Sequence, residues 1–482
     1  MRAGVASILV GMALAAAGHA DDAGPAGRGL AGEWRLDRLT LADGRSLAGL
    51  LVEEPADARG DVAFVEVVRR PGRPMHLVTR RLPARLVVSI DRLPEDDRAF
   101  LAARVGAFRE SGRAEREAAA ALELTRSDDD APWRYEGAWF TLESSAGQPL
   151  TRQAIVRLEA LLDAFETLVP ASAEGDPARR LGVRLCGSQA EYARAQAEQG
   201  VKVANPAFYL PGRGLLVAGS DVPAVIGQAR LAADGLDATA QRQKDLDAEV
   251  AAGLRGLAAV MESQGIPGGE RAEIVDRTRA RWQRERAATL AHVDQARKEN
   301  DAQVRQARAG LFTALAHEAW HAFADLRLGR GGGLPAWLDE GLAQVFETGL
   351  LEAGELRLDA PDPRRLARLA DLLTSEPRGL LGPVIDGAER QFVVGHGNAA
   401  ATSRRAYLLA WGLAYDLVLG SPTLSVQGIE EAARRGEAAR RGTAAGDERA
   451  RFERLVGLPV EEFEAAWRAR MLTLARRPAP GQ

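Results

Sequence analysis

His317-Glu318-Ala319-Trp320-His321 carries residue types at a spacing that can do chemistry, and Trp337-Leu338-Asp339-Glu340-Gly341-Leu342-Ala343 follows it after a Gly-rich break. On a helix, two imidazoles four residues apart stack on one face, about 6 Å apart along the axis. Both rings then reach one metal ion, with Glu318 beside it. Two imidazoles and one carboxylate suit Zn2+, leaving one position open for water. Glu318 is too close along the helix to be the third ligand and is better placed to hold that water. The set predicts metal-assisted hydrolysis, with Glu318 as general base taking a proton from water and returning it to a leaving amine.

Several carboxylates compete for the third ligand position. Asp325 continues the helix face one turn beyond His321, but three ligands in line on one straight helix cannot surround a metal. A metzincin-type site needs Gly at 324 and His at 327, where the chain has Ala324 and Arg327. Glu340 lies on the next helix, after a loop able to reverse direction, and is preferred. Asp339 and Glu347 read as solvated or capping.

The elements that must position these residues are largely helical. Leu311, Phe312, Leu315, Ala319 and Phe323 mark the metal helix, expected over 311–327; Gly329 to Gly333 stops it, and Pro335 begins the next. Further helices are expected over 335–351, 363–374, 403–419, 428–442 and 459–474. Upstream, residues 224–310 are rich in Ala, Arg, Glu, Asp and Gln, with a break at Ile266-Pro267-Gly268-Gly269. They read as a long helical hairpin inserted before the metal helix, its stripe (Leu246, Val250, Leu254, Leu257, Met261) packing on its partner helix or offering a surface to another protein. His292 reads as an exposed helix residue.

The amino-terminal part is β in pattern. Asp43-Gly44 reads as a hairpin turn and Arg70-Pro71-Gly72-Arg73 as another, giving a small, barrel-like β module. Pro94 to Leu124 reads as a helix leading away from it. Strands are expected at 139–142 and 181–186, a helix over 152–168, and a capping box at Ser188 and Glu191. A hairpin is expected around Pro211-Gly212-Arg213-Gly214. The fold class is therefore α+β, divided as 1–20 signal peptide, 21–95 β module, 96–132 helical linker, 133–223 α/β part, 224–310 helical hairpin, 311–475 helical zinc-site part and 476–482 tail.

The 482 residues suggest about three domains. A formal net charge of −4, with no isolated basic domain, argues against nucleic acid as a partner. Arg2, the short apolar stretch Val5 to Ala17 and Gly18-His19-Ala20 read as a cleaved secretory signal, which places the mature protein in the periplasm or outside the cell. No Cys follows that stretch and no later segment has some 18 uninterrupted apolar residues, so no stable membrane anchor is expected. Cys186 is the single cysteine and reads as a buried strand residue, so no internal disulfide forms.

His-Glu-x-x-His with Glu340 after 18 intervening residues (322–339), and the string Trp-Leu-Asp-Glu-Gly-Leu-Ala, resemble the gluzincin metallopeptidases. The likeness is closest to the alanyl-aminopeptidase-like branch and, within it, to exported bacterial gluzincin-like domains. It covers roughly residues 133–475, strongly at the two motifs and weakly elsewhere. The resemblance implies a thermolysin-like domain with one zinc on His317, His321 and Glu340, Glu318 as general base, and a peptide or protein substrate. It also implies a Tyr on a later helix that hydrogen-bonds the oxyanion, a position that Tyr407 matches; His396 is an alternative donor. In gluzincins a strand edge before the metal helix pairs with extended substrate, and the hairpin around Phe208 to Val217 fills that place. One departure stands out. The Gly-x-Met-x-Asn loop that binds a substrate amino terminus in the aminopeptidases is missing, its nearest string being Val260-Met261-Glu262-Ser263. The alternative is a binding or scaffold protein on the same fold with a structural or vestigial metal site.

Overall fold

Alternating apolar and polar residues, punctuated by turn-formers, build the first sheet. The computed structural model describes residues 34–42, 44–52, 61–69, 75–111, 122–168, 180–328, 334–349, 355–357, 361–386, 401–420, 428–429, 431–432 and 448–476. Strands β1 (Asp37–Leu41), β2 (Ser46–Val52), β3 (Val62–Val68), β4 (His76–Leu82) and β5 (Val87–Asp91) pair antiparallel in the order β4-β3-β2-β1-β5. Gly44 sits at φ 84°, the left-handed conformation that its hairpin turn needs and a side chain resists. The sheet is open, with β5 at one edge, rather than barrel-like. Helix α1 (Glu95–Ser111) does not lead away from it. Its Leu101, Val105 and Phe108, at i, i+4 and i+7, cover the face formed by Leu50, Val65, Val67 and Leu77. An apolar sheet face has to be covered, and the nearest amphipathic helix covers it.

A second, mixed sheet has the order β6-β7-β8-β10-β9, from β6 (Trp133–Glu136), β7 (Phe140–Ser144), β8 (Leu181–Cys186), β9 (Ala207–Leu210) and β10 (Leu215–Gly219). Strands β7, β8 and β10 run parallel, and β9 turns back antiparallel on β10 to become an edge. Helix α2 (Gln148–Leu168) joins the core on one face, while α3 (Gln189–Gln199) packs on the other. Ser188 caps α3 by accepting from the Glu191 N–H, and Glu191 reaches back to the Gly187 N–H. Cys186 is buried beside Tyr192.

Two residues after β10, the chain enters α4 (Val222–Ser263), turns, and returns as α5 (Gly268–Arg327). The expected break between hairpin and metal helix does not exist. Gly310 is exposed inside one 60-residue helix that runs from the hairpin tip through both histidines. At 1.5 Å per residue that helix is about 90 Å long. The two helices form an arm whose buried residues are Leu254, Met261 and Val293, so it packs almost wholly on its own seam. His292 is exposed there.

The remaining helices surround the end of α5. Those with described bounds are α6 (Ala336–Gly349), α7 (Pro363–Ser375), α8 (Leu381–Asp386), α9 (Ala401–Tyr415), α10 (Glu448–Val456) and α11 (Val460–Ala475). After α6, the short strand β11 (Glu355–Arg357) pairs parallel with β4, Glu355 opposite Leu77. The first sheet is thereby tied to the chain just past α6, and Val78 of β4 joins the main core. The architecture is mixed α+β, with two small sheets and a helical carboxy-terminal part. Among the described residues, no helix is long and apolar enough to cross a membrane. The signal-like residues 1–20, the turn at 70–73, His396 and residues 433–442 lie outside the described residues.

Candidate metal centre

The metal helix is pinned by an aromatic layer behind it. Trp320 and Phe323 on α5 meet Phe165 from α2 and Phe346 from α6, with ring centroids 5.0 to 5.6 Å apart along the Phe165–Trp320, Phe165–Phe323 and Trp320–Phe346 contacts. Burying these rings turns the His317 and His321 face toward α6. Gly341 lets α6 approach α9. A Cβ there would run into the Ala410 carbonyl and lie 2.7 Å from the Ala414 methyl, so no larger residue can follow Glu340 at this packing distance.

His317, His321 and Glu340 converge as the sequence predicts. The two Nε2 atoms are 3.2 Å apart; Glu340 Oε2 is 3.5 Å from Nε2 of His317 and its Oε1 3.9 Å from Nε2 of His321. Two nitrogens at 2.0–2.1 Å from a tetrahedral zinc stand about 3.3 Å apart, close to the observed spacing. Glu340 Oε2 is buried with no hydrogen-bond partner, which is expected of a carboxylate oxygen that serves a cation. The donor set therefore fits zinc.

Asp339 and Glu347 are neither solvated nor capping. Glu347 Oε1 is 2.7 Å from Nδ1 of His317 and its other oxygen pairs with Arg365 of α7. Asp339 Oδ2 is 3.1 Å from Nδ1 of His321, and its Oδ1 accepts from the indole N–H of Trp320 at 2.9 Å. A carboxylate only accepts, so each Nδ1 carries a proton, which leaves each Nε2 as the nitrogen that a bound metal would take. The spacing held this signal: Glu347 follows Glu340 by seven residues, two turns along the same face. Removing either carboxylate should weaken zinc binding by about 10–100-fold, the usual cost of losing such a support. Competition titrations of Asp339→Ala and Glu347→Ala against a chromophoric chelator test this, and wild-type affinity in both would refute it.

Glu318 stands apart from the ligand set. It is buried, and burial pushes its pKa up against the pull of His317 and His321. Asp325 does not approach the three ligands' meeting point but accepts from the Tyr209 hydroxyl at 2.7 Å. Tyr209 carried no signal in the sequence beyond its place in a hairpin. Tyr407 on α9 is half-buried; burial and then Glu340, Glu318 and Glu347 push its phenol upward. Its carbonyl accepts from Gln344 of α6 at 3.0 Å.

Without metal, the imidazoles hold protons strongly. Burial alone would lower the pKa of His321, but Asp339 and Glu340 outweigh it and raise it to about 9; His317 is raised well above its usual value by Glu340 and Glu347 against the same burial. A pKa above its unfolded value gives stability that is full below about 6.5 and lost as pH rises through about 9. Asp339 and Glu347 are held low by their histidine partners despite burial, so their contribution is lost as pH falls below about 4. Zinc requires both Nε2 atoms unprotonated, so its stabilisation grows over the interval in which the metal-free protein weakens. Melting curves with chelator and with zinc should therefore slope in opposite directions between pH 6.5 and about 9. Parallel slopes would contradict the protonation scheme.

The chain matches no protein-family model, no curated protein and no solved structure.

Proposed function

We propose that this protein is an exported zinc-dependent metallopeptidase of gluzincin type, with His317, His321 and Glu340 as ligands and Glu318 as general base. The observation that carries the reading is the pairing of a convergent, carboxylate-supported donor set with a separate, buried Glu318. A purely structural zinc site has no use for a base beside it. When bound, zinc supplies Lewis acidity, which acidifies water and polarises a carbonyl. Glu318 takes the proton from the attacking water and passes it to the leaving amine, and Tyr407 donates to the oxygen that gains charge.

The substrate would be an extended peptide laid along β9. That strand is an edge of its sheet, and its pairing of Phe208 with Val217 and Leu210 with Leu215 turns alternate backbone groups outward. Recognition of a free amino terminus by Val260-Met261-Glu262-Ser263 is ruled out by position: Met261 lies in the arm seam, about 58 Å along α4 from Val222. The reading is tested by incubating purified protein with an unfolded, fluorescently labelled protein while zinc content is measured. One zinc per chain and cleavage abolished by a chelator are expected. Stoichiometric zinc without cleavage of any peptide in a broad library would favour the scaffold alternative, and absence of zinc uptake would end both.

A further inference from the structure

We infer that Arg365 is a positioning residue for the proposed metal centre: its guanidinium, anchored on the Gln344 carbonyl, fixes the Glu347 carboxylate against His317. This rests on the reading of His317 as a zinc ligand, and concerns what holds that ligand's support in place.

Glu347 cannot orient a ring unaided, because its carboxylate hangs on three rotatable bonds whose freedom must be lost. Both of its oxygens are committed, each to a different helix. Oε1 lies 2.7 Å from Nδ1 of His317 on α5, and Oε2 accepts from Nη2 of Arg365 on α7. Nη1 of the same guanidinium donates to the Gln344 carbonyl at 2.8 Å, three residues before Glu347 on α6. A guanidinium is planar and rigid, so a bond to a backbone oxygen through one nitrogen sets where the other points. Glu347 is thereby referred to the backbone of its own helix. The side chains of Arg365, Glu347 and His317 are only 18%, 14% and 10% exposed, so solvent competes weakly for these bonds.

Arg365 is itself held firmly. Asp362 caps α7 by accepting the Arg365 N–H, Pro363 opens the helix, and Leu366, Leu369 and Leu373 bury its apolar face in the main core. The other imidazole gives the comparison. Asp339 places Oδ2 on Nδ1 of His321 and Oδ1 on the indole N–H of Trp320, which the aromatic layer already fixes. Each supporting carboxylate therefore has one oxygen on a ring and the other on an immobile donor. Trp320 lies on the metal helix beside His321, whereas the donor for Glu347 comes from α7. A buried Arg–Glu pair adds little stability over apolar side chains of the same volume, so packing alone gives no reason for it.

The test measures zinc affinity by chelator competition in full-length wild type, Arg365→Met, Arg365→Lys, Glu347→Ala and the Arg365→Met/Glu347→Ala double variant. Arg365→Met should weaken binding about tenfold, and Arg365→Lys less, since an ammonium keeps the charge without the fork. The double variant should bind as Glu347→Ala does, within about twofold, because nothing is left for Arg365 to orient. Losses that add in full would show that Arg365 only braces the helices, and would overturn the inference. Metal-free protein labelled with nitrogen-15 at its six histidines gives a second readout. Exchange of the His317 Nδ1 proton, identified by its loss in Glu347→Ala, should quicken about tenfold in Arg365→Met and measurably in Arg365→Lys, while the His321 Nδ1 proton keeps its rate. Arg365→Lys retains the ion pair and decides the matter should the methionine variant fail to fold. Wild-type affinity and wild-type His317 exchange in Arg365→Lys, or equal quickening at both rings, would overturn the inference. If the wild type takes up no zinc, the proposed function fails instead, and the exchange at His317 still decides whether Arg365 holds Glu347.

Discussion

Replacing Glu318 by Gln should leave one zinc per chain and lower hydrolysis by about 10²–10⁴-fold, the range supplied by a positioned general base. The two halves of this expectation come from different features. Zinc is retained because the atoms that converge are Nε2 of His317, Nε2 of His321 and the Glu340 carboxylate, none of which the substitution touches. The fold is retained because glutamine has the same shape as glutamate and its amide oxygen still accepts hydrogen bonds. What is lost is the ability to take a proton, since an amide has no basic site near neutrality. Zinc analysis and cleavage of an unfolded protein, run on the same preparation, check both halves. Activity within tenfold of wild type would remove Glu318 from the mechanism, and loss of zinc would place it in the ligand set instead.

The convergence of His317, His321 and Glu340 is legible because local geometry decides most of it. Four-residue spacing on a helix stacks His317 on His321 whatever the rest of the fold does, and the loop before Pro335 only has to return a second helix alongside. Strand β8 and the β9–β10 hairpin were equally readable, from apolar runs and from Pro211 to Gly214. The roles of Asp339 and Glu347 were not read, although the seven-residue step from Glu340 to Glu347 holds part of the answer. A carboxylate's partner is a tertiary fact: nothing local distinguishes an acid that caps a helix from one that orients an imidazole on another. Composition changes at Gly310 and suggests a boundary there, but the helix runs through it. Glycine costs a helix about 1 kcal/mol, too little to stop one carried by sixty residues of otherwise helical pattern. The barrel-like reading of the first sheet failed for a long-range reason. Its β4 edge is paired by β11, three residues from far along the chain, and no spacing within residues 34–91 predicts such a partner. The tie between Tyr209 and Asp325 is of the same kind, since each residue alone is an ordinary core tyrosine or an ordinary helix acid.

Glu340→Gln should abolish the thermal stabilisation that zinc gives to the wild type. A ligand that binds only the folded state raises stability by RT ln(1 + [L]/Kd), about 2.7 kcal/mol at a hundred times Kd, so the zinc-induced rise in melting temperature measures the site directly. With Glu340 neutral, the site keeps two imidazoles and loses its only charged ligand, the one that neutralises part of the cation's charge. The loss in affinity should exceed the 10–100-fold expected for Asp339→Ala or Glu347→Ala, because those residues act on the metal only through an imidazole. That ordering separates a ligand from its supports. Among the described residues, Glu340 pairs with no buried donor other than the imidazoles, and its Oε2 has no hydrogen bond to lose, so the substitution removes little that the described fold depends on. Paired melting curves with zinc and with chelator, together with zinc content after gel filtration, check the expectation. A Glu340→Gln variant that still gains the full wild-type increment would show that Glu340 is a bystander and that the third ligand must be sought among Asp339, Glu347 and Glu318.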